Sequence, residues 1–338
     1  MDVQTLAETA RQLVADGKGL LAADESTRTI TKRFEKVNVE STARTRRDYR
    51  EMLFTTDGIG DFLSGVILYD ETIRQEGKDG TPLVQHLTDK GIIPGIKVDT
   101  GAKPLAPSGL EKVTEGLDGL RERFTEYREM GARFTKWRAV YSVGHGLPSR
   151  QCMRANAHAL ARYAALAQEQ DIVPVVEPEV LIDGDHDIAA CRAATERVLA
   201  QVFAELDEQQ VVPEGMLLKP NMVLSGKEAS NQAGPDEVAR ETIAAFKRVV
   251  PAAVPGIVFL SGGQSDEQAT LNLDAINRWK DEMGAPWELS FSYARALQQA
   301  PMQTWAGDND NARQAQQAFL VRARATSAAR QGRYTAAA

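Results

Sequence analysis

The sequence predicts a single (β/α)8 barrel, in which eight parallel strands close into a ring inside a layer of helices. Eight short apolar runs recur along the 338 residues, and each is followed by a polar stretch and then a helical pattern. The spacing between runs averages about 38 residues, the order of length that one strand–helix unit needs. Strict alternation of strand and helix predicts a parallel sheet, and eight units favour closure into a barrel.

The predicted strands are the apolar runs themselves, at 19–26, 62–70, 91–99, 132–140, 171–180, 215–223, 256–263 and 287–295. An open, doubly wound sheet is the alternative fold. That fold usually carries a glycine-rich turn after its first strand. Here the first run ends in Asp24-Glu25-Ser26 without such a turn, which favours the barrel.

Helical patterns fill the intervals between the strands. Residues 108–130 carry an apolar stripe at helical spacing, and Asp236 and Ser265 stand at positions typical of helix starts. The predicted helices lie at 3–15, 41–57, 108–130, 149–169, 187–207, 236–249, 265–282 and 308–330. Because no Pro-, Gly- or Ser-rich linker divides the chain, we expect one domain over 1–338. The barrel would cover about 19–330, with an extra N-terminal helix, a C-terminal helical segment and a short tail at 331–338.

Charge and hydropathy exclude several classes of partner. Lys and Arg number 40 and Asp and Glu 47, for a net charge of −7, which offers no overall attraction to nucleic acid or an anionic membrane. No apolar stretch reaches the ~18 residues that a membrane span needs, and the N-terminus lacks the pattern of a signal peptide. Two cysteines, Cys152 and Cys191, are too few for a disulfide framework, so we expect reduced thiols and a cytoplasmic location.

The histidines give little support for a metal site. There are four, scattered as His86, His145, His158 and His186, without the close spacing typical of zinc ligands. The segment 183–187 (DGDHD) is better explained as a polar loop with an aspartate capping the next helix. We therefore expect no metal and no other cofactor.

Polar side chains recur two residues apart near the ends of four consecutive strands. Since residues i and i+2 of a strand point the same way, and barrel active sites lie at the C-terminal strand ends, these side chains should meet in one cavity. A simpler interpretation is that charged residues at strand ends point into solvent. That interpretation would explain one such pair, but not four. The pairs are Lys97 with Asp99, Lys136 with Arg138, Glu177 with Glu179, and Lys219 with Asn221.

Three lysines converging on one cavity predict a nucleophile. Burial and neighbouring positive charge both disfavour an ammonium, so the pKa of at least one lysine should fall. A neutral lysine adds to carbonyls and forms a Schiff base, whose protonated form stabilises a carbanion. Asp24, Glu177 and Glu179 could move the protons that such chemistry requires.

A second group of residues suits an anionic substrate. Ser261-Gly262-Gly263 ends the seventh strand, before a predicted helix, and is typical either of a backbone phosphate cradle or simply of a tight turn. Ser292 and Arg295 follow the eighth strand, where barrels often bind phosphate. Arg295 could bind a phosphate through two hydrogen bonds.

These segments together resemble the class I fructose-bisphosphate aldolases, which act through a lysine Schiff base without a metal. The matching motifs follow the order of the family from the first strand to the eighth. They are LAADEST (21–27), GIKVD (95–99), KWR (136–138), PVVEPE (174–179), DGDHD (183–187), EGMLLKPNMV (214–223), FLSGGQS (259–265), FSYARALQ (291–298) and QGRYT (331–335).

The resemblance implies reversible cleavage of fructose 1,6-bisphosphate to dihydroxyacetone phosphate and glyceraldehyde 3-phosphate, in glycolysis and gluconeogenesis. It implies that Lys219 forms the Schiff base, that Glu177 exchanges protons during imine formation and hydrolysis, and that Asp24 takes the C4-hydroxyl proton. It also implies a homotetramer. The remaining implied residues are Lys136 and Glu179 in the charged interior, Ser261, Gly262, Gly263, Ser292 and Arg295 at one phosphate, and Arg33, Lys97 and Arg138 towards the other.

Three departures from the family pattern stand out. Ala294 replaces a glycine beside the phosphate-binding arginine, where a methyl group would crowd the phosphate or restrict φ. Thr135 replaces an alanine before the KWR lysine. The chain ends soon after Tyr334, so the tyrosine that many members carry on a C-terminal tail is not expected, and another group or water would exchange the proton on the enamine.

Two other functions remain open at this point. A related Schiff-base barrel could act on a different phosphosugar, and an aldolase-like chain could bind without catalysis. The second alternative predicts loss of Lys219, Glu177 or Asp24, and all three are present. The preference between fructose 1,6-bisphosphate and fructose 1-phosphate does not follow from the sequence.

Overall fold

A computed structural model describes residues 1–335. Eight parallel strands close into a barrel in chain order, and the strand after Trp287 pairs with the first one. The barrel strands are β1 (Gly19–Ala22), β2 (Leu63–Leu68), β3 (Ile93–Lys97), β6 (Phe134–Tyr141), β7 (Val173–Val180), β8 (Leu217–Leu218), β9 (Gly256–Phe259) and β10 (Glu288–Tyr293). The predicted (β/α)8 barrel is confirmed, and each of the eight apolar runs overlaps one barrel strand.

Helices cover the outside of the barrel. They are α1 (Val3–Leu13), α2 (Thr27–Glu35), α3 (Ala43–Phe54), α4 (Asp70–Ile73), α5 (Leu83–Thr88), α6 (Leu120–Glu129), α7 (Arg150–Glu169), α8 (Ile188–Glu208), α9 (Pro235–Val249), α10 (Asp266–Trp279), α11 (Arg295–Trp305) and α12 (Ala312–Arg330). Ser265 and Asp187 cap their helices as expected, because each side chain accepts a hydrogen bond from a backbone N–H of the first turn. No helix within residues 1–335 is long and apolar enough to cross a membrane.

The predicted helix over 108–130 is wrong in its first half. An antiparallel hairpin lies there, formed by β4 (Gly101–Pro104) and β5 (Lys112–Glu115), and the helix begins only at Leu120. Gly109, Gly116 and Gly119 adopt positive φ values, which a helix does not accommodate. Leu110, part of the apolar stripe, is 76% exposed, so the helical spacing was coincidental there.

The interior of the barrel changes from apolar to charged along the strands. At the N-terminal end, Phe134, Val173 and Val175 pack with Leu6 and Leu13 of α1, which closes that end. Gly95 of β3 leaves room for the ring of Phe134, since a Cβ there would lie 2.4 Å from it. This apolar cluster fills the N-terminal part of the interior, and the charged part lies towards the C-terminal ends of the strands.

The predicted C-terminal tail lies only partly within the described residues. Of the predicted tail at 331–338, residues 336–338 lie outside them. Tyr334 packs against the core, and its backbone N–H donates to Asp274 Oδ1 at 2.8 Å. That residues 1–338 form one independently folding domain stays a prediction.

Candidate active site

A cavity of about 500 Å³ opens at the C-terminal ends of the strands. It collects residues from β1, β3, β6, β7 and β10, from the ends of β8 and β9, and from α2. The predicted site residues that line it are Asp24, Arg33, Lys97, Lys136, Arg138, Glu177, Glu179, Lys219, Ser261, Gly262, Ser292 and Arg295. Gly263 lies outside this lining, as do Asp99 and Asn221 of the predicted pairs.

Strand parity places the charged pairs inside the barrel. In β6, Phe134 packs in the barrel interior and Lys136 and Arg138 follow it at intervals of two, while Trp137 faces outwards and stacks on Tyr163 of α7. In β7, Val173 and Val175 are followed at the same interval by Glu177 and Glu179. The alternation seen in the sequence therefore positions four charges in the C-terminal part of the barrel, which is called the charged layer below.

Lys136 is held between two carboxylates. Its Nζ lies 2.7 Å from Asp24 Oδ2 and 3.1 Å from Glu177 Oε2, and the side chain is buried. Burial opposes the charge of Lys136, but the two carboxylates outweigh it and raise the pKa of this lysine above its usual value. Burial likewise opposes ionisation of Asp24, yet Lys136 and Lys219 hold its pKa well below the usual range.

Lys219 has a different environment, although it is equally buried. Its Nζ lies 3.4 Å from Glu177 Oε1, a longer contact than either of those that Lys136 makes. Burial and the positive charge of Lys136 lower the pKa of Lys219, and Glu177 only partly offsets them. Of these two lysines, Lys219 is the one whose amine is more readily neutral, and hence nucleophilic.

Two more ion pairs extend the charged layer. Lys97 Nζ lies 2.7 Å from Asp99 Oδ1, so this third lysine is paired with a carboxylate. Arg138 Nε donates to Glu179 Oε2 at 2.5 Å, and the two side chains form one wall of the cavity. Asn221 of the fourth predicted pair is instead structural, because its Oδ1 accepts the backbone N–H of Val180 at 2.9 Å.

The predicted phosphate side has the geometry of a tight turn. Gly262 and Gly263 adopt φ values of +53° and +84°, which favour glycine. The Ser292 hydroxyl is buried without a hydrogen-bond partner among the described residues. Ala294 has φ −101°, so the predicted backbone restriction by its methyl group is absent, although the residue does line the cavity.

Sequence reasoning missed a basic rim on α2 and the residue after it. Arg28, Lys32 and Lys36 line the cavity and recur every four residues, so they share one helix face. That spacing was a usable signal in the sequence. Counting the rim, nine Lys or Arg and four Asp or Glu side chains line the cavity, which attracts anions in a chain that is acidic overall.

Glu25 forms ion pairs with arginines next to this rim and does not pair with the lysines of the cavity. Its carboxylate accepts hydrogen bonds from Arg33 Nη1 at 2.5 Å, from Arg50 Nη2 at 2.6 Å and from Gln298 Nε2 at 2.8 Å. Arg50 of α3 is almost fully buried, and sequence reasoning did not identify it. Among the described residues, the lining of the cavity includes no histidine and no cysteine.

Comparison with known proteins identifies the family. The family described as glycolytic, fructose-bisphosphate aldolase class I, matches residues 5–338. A relative from Xanthomonas campestris pv. campestris, named probable fructose-bisphosphate aldolase class 1, is 54% identical and covers 99% of both chains. Fructose-bisphosphate aldolase 6, cytosolic, from Arabidopsis thaliana is 53% identical over 97% of this chain and 91% of its own.

A solved structure gives the same result for the fold. Fructose-bisphosphate aldolase from Plasmodium falciparum, solved in complex with TRAP and a small-molecule inhibitor, superposes with a TM-score of 0.97. It is 46% identical, over 99% of this chain and 96% of its own. The matched segments include every strand that carries a charged side chain into the cavity. The chain belongs to the class I fructose-bisphosphate aldolase family.

Proposed function

We propose that this chain cleaves fructose 1,6-bisphosphate reversibly through a Schiff base on Lys219. Membership of the family makes it a lyase of the metal-independent class. The observation that carries the assignment of the nucleophile is the contrast between two neighbouring lysines. Lys136 has two carboxylates within 3.1 Å, whereas Lys219 has one at 3.4 Å and a positive charge beside it.

Imine formation uses Lys219 and Glu177. The neutral Nζ adds to the C2 carbonyl, and the carbinolamine then loses its oxygen as water once that oxygen receives a proton. Glu177 is suited to exchange these protons because its two oxygens face Lys219 and Lys136 separately. The same exchange, run backwards, hydrolyses the final imine and releases dihydroxyacetone phosphate.

Carbon–carbon cleavage uses Asp24 as the base. Asp24 removes the proton from the C4 hydroxyl, the C3–C4 bonding pair moves towards the iminium nitrogen, and glyceraldehyde 3-phosphate leaves. The enamine that remains on Lys219 is then protonated at C3. Lys136 keeps Asp24 ionised and oriented through its 2.7 Å contact, so the carboxylate is ready to accept a proton.

We propose that the two phosphates of the substrate bind different groups of cations in the cavity. We assign Ser261, Gly262, Ser292 and Arg295 to one phosphate, and Arg33, Lys97 and Arg138 to the other end of the cavity. We assign Gly263 to the same phosphate as Gly262, because it completes the turn that Gly262 begins. The excess of basic over acidic side chains supports a substrate with two phosphate groups.

A substrate panel tests this function. The chain should release triose phosphate from fructose 1,6-bisphosphate, with EDTA present, faster than from other ketose mono- and bisphosphates. Preference for a different phosphosugar would favour the alternative of a related Schiff-base enzyme. No turnover by folded protein would favour a binding protein built on the same fold.

The pH dependence of imine formation follows from the environment of Lys219. Because burial and Lys136 lower its pKa, the neutral amine accumulates below the usual 10.5. The rate of imine formation with dihydroxyacetone phosphate should therefore rise with pH and level off with a midpoint below 10.5. Stopped-flow or quenched trapping measures this rate, and a midpoint at or above 10.5 would contradict the assignment.

Removal of a phosphate contact should affect binding more than chemistry. For Arg295→Ala we expect KM to rise about 10–100-fold with a smaller change in kcat, since a hydrogen bond between charged groups is lost in both the ground and transition states. Steady-state kinetics measures both constants. Arg313→Ala, at an exposed position of α12, is the control. An unchanged KM for Arg295→Ala would exclude this residue from the phosphate site.

Assembly and location are also proposals. We propose a homotetramer in the cytoplasm. The location is supported by the two free, buried cysteines, which suit a reducing compartment, and by the cytosolic name of the Arabidopsis relative; the tetramer rests on the family resemblance alone. Light scattering coupled to size-exclusion chromatography gives the mass of the assembly. A monomer mass near 37.0 kDa would contradict the tetramer.

A further inference from the structure

A cluster of three potential metal ligands lies outside the catalytic cavity. Glu51 on α3, Asp79 in the loop before α5 and His86 on α5 each direct one ligand atom towards the others, and all three atoms lie within 4.8 Å of one another. His86 Nε2 is 3.7 Å from Asp79 Oδ1, too far for a hydrogen bond. From this geometry we propose that the cluster binds a divalent transition-metal ion such as Zn²⁺.

Two of the proposed ligand residues each have a buried polar atom that forms no hydrogen bond with another described residue. Glu51 Oε2 and His86 Nε2 are buried and have no hydrogen-bond partner among the described residues. Buried polar atoms are nearly always paired, so two neighbouring exceptions require an explanation. Around the position of a Cβ at residue 77, the Glu51 oxygen that lies with His86 Nε2 is Oε1, so a cation there would give His86 Nε2 the partner that it lacks.

Backbone hydrogen bonds position the carboxylates and leave further lone pairs available. Glu51 Oε1 accepts the N–H of Lys78 at 2.8 Å, and Asp79 Oδ1 accepts the N–H of Thr81 at 2.9 Å. The loop itself is closed by a bridge between Glu76 and Pro82. Such outer contacts orient metal ligands in proteins. Asp79 is 60% exposed, which provides a route from solvent.

Gly77 keeps the centre of the cluster open. The methyl carbon of an alanine at this position would lie 2.7 Å from Glu51 Oε1, 3.1 Å from His86 Nε2 and 3.2 Å from Asp79 Oδ1. It would therefore stand over the space that the three ligands share. Gly77 is not among the residues with positive φ, so its backbone conformation does not itself require glycine.

The donor set indicates the class of ion. One imidazole and two carboxylates suit Zn²⁺, Co²⁺ or Ni²⁺ better than Ca²⁺ or Mg²⁺, which prefer oxygen ligands alone. The two carboxylates also balance the charge of a divalent cation. The site joins α3, the loop at 76–82 and α5, so occupancy should stabilise the fold without taking part in aldol cleavage.

The test is a titration of EDTA-treated, desalted full-length chain with Zn²⁺, followed by calorimetry and by the melting temperature. Co²⁺ serves as a second, spectroscopic probe. We expect one saturable site per chain and a higher melting temperature on binding. His86→Gln removes the nitrogen ligand. Asp79→Asn removes the charge but keeps an oxygen that can accept from Thr81. Gly77→Ala retains all three ligands and fills the space between them.

Each of the three substitutions should weaken Zn²⁺ binding by at least about tenfold. Loss of a residue that only contacts a metal ligand already has an effect of this size. Asp89→Asn, an exposed carboxylate near the end of the same helix, should bind as the unmodified chain does. The metal-free variants should retain aldol cleavage, which verifies their folding. Absence of a saturable site, or equal affinity in the unmodified chain and in His86→Gln and Asp79→Asn, would overturn the proposal.

Discussion

Replacement of Lys219 by alanine should lower kcat for aldol cleavage by about 10⁵-fold or more, the scale seen when an enzyme loses its covalent nucleophile. The substitution removes the amine that forms the imine, and neither neighbouring lysine can take over. Lys136 is held as an ammonium by Asp24 and Glu177, and Lys97 is paired with Asp99. Coupled measurement of triose phosphate release gives kcat.

The control for Lys219→Ala is a lysine far from the cavity. Lys247→Ala alters an exposed side chain on α9 and should leave kcat unchanged. Circular dichroism shows whether Lys219→Ala folds, which is a necessary check because the substitution also leaves Glu177 with one cation fewer. A kcat within tenfold of that of the unmodified chain would show that another lysine is the nucleophile.

Asp24→Asn should slow carbon–carbon cleavage without preventing imine formation. The amide cannot accept the C4-hydroxyl proton, so we expect cleavage of fructose 1,6-bisphosphate to fall about 10²–10⁴-fold, the usual contribution of a general base. Imine formation with dihydroxyacetone phosphate needs no deprotonation at C4 and should persist. Single-turnover cleavage and borohydride trapping measure the two steps on the same protein.

The control for this experiment is Asp16→Asn, an exposed carboxylate at the opposite end of the barrel from the charged layer. It should leave both steps unchanged. If Asp24→Asn lost imine formation as completely as cleavage, Asp24 would act by holding Lys136 rather than as the base. An unchanged rate of cleavage would exclude Asp24 both as the base and as the residue that holds Lys136.

The sequence could indicate which side chains share the cavity, because parity and strand ends are local properties. Once β6 and β7 are strands, Lys136 must share a face with Arg138, and Glu177 with Glu179, whatever surrounds them. The family resemblance then supplied the roles. The pairing of the lysines was not predictable, since the 2.7 Å contact of Lys136 with Asp24 joins residues 112 positions apart in the chain.

The errors have equally physical causes. The spacing of Leu110, Val113 and Leu117 imitates a helix, but glycines with positive φ prevent one and a hairpin forms. The basic face of α2 was overlooked because Arg28, Lys32 and Lys36 resemble an ordinary solvated helix face until the barrel places them over the cavity. The cluster at Glu51, Asp79 and His86 has no sequence spacing typical of a metal site and depends on tertiary packing.

The central claim is that Lys219 is the residue that forms the imine, and borohydride trapping tests it most directly. The folded chain is mixed with dihydroxyacetone phosphate, reduced, digested and examined by mass spectrometry. We predict one stable adduct, on the peptide that contains Lys219. An adduct on Lys136 or Lys97 would contradict the assignment of the nucleophile, and the absence of any adduct would contradict the Schiff-base mechanism itself.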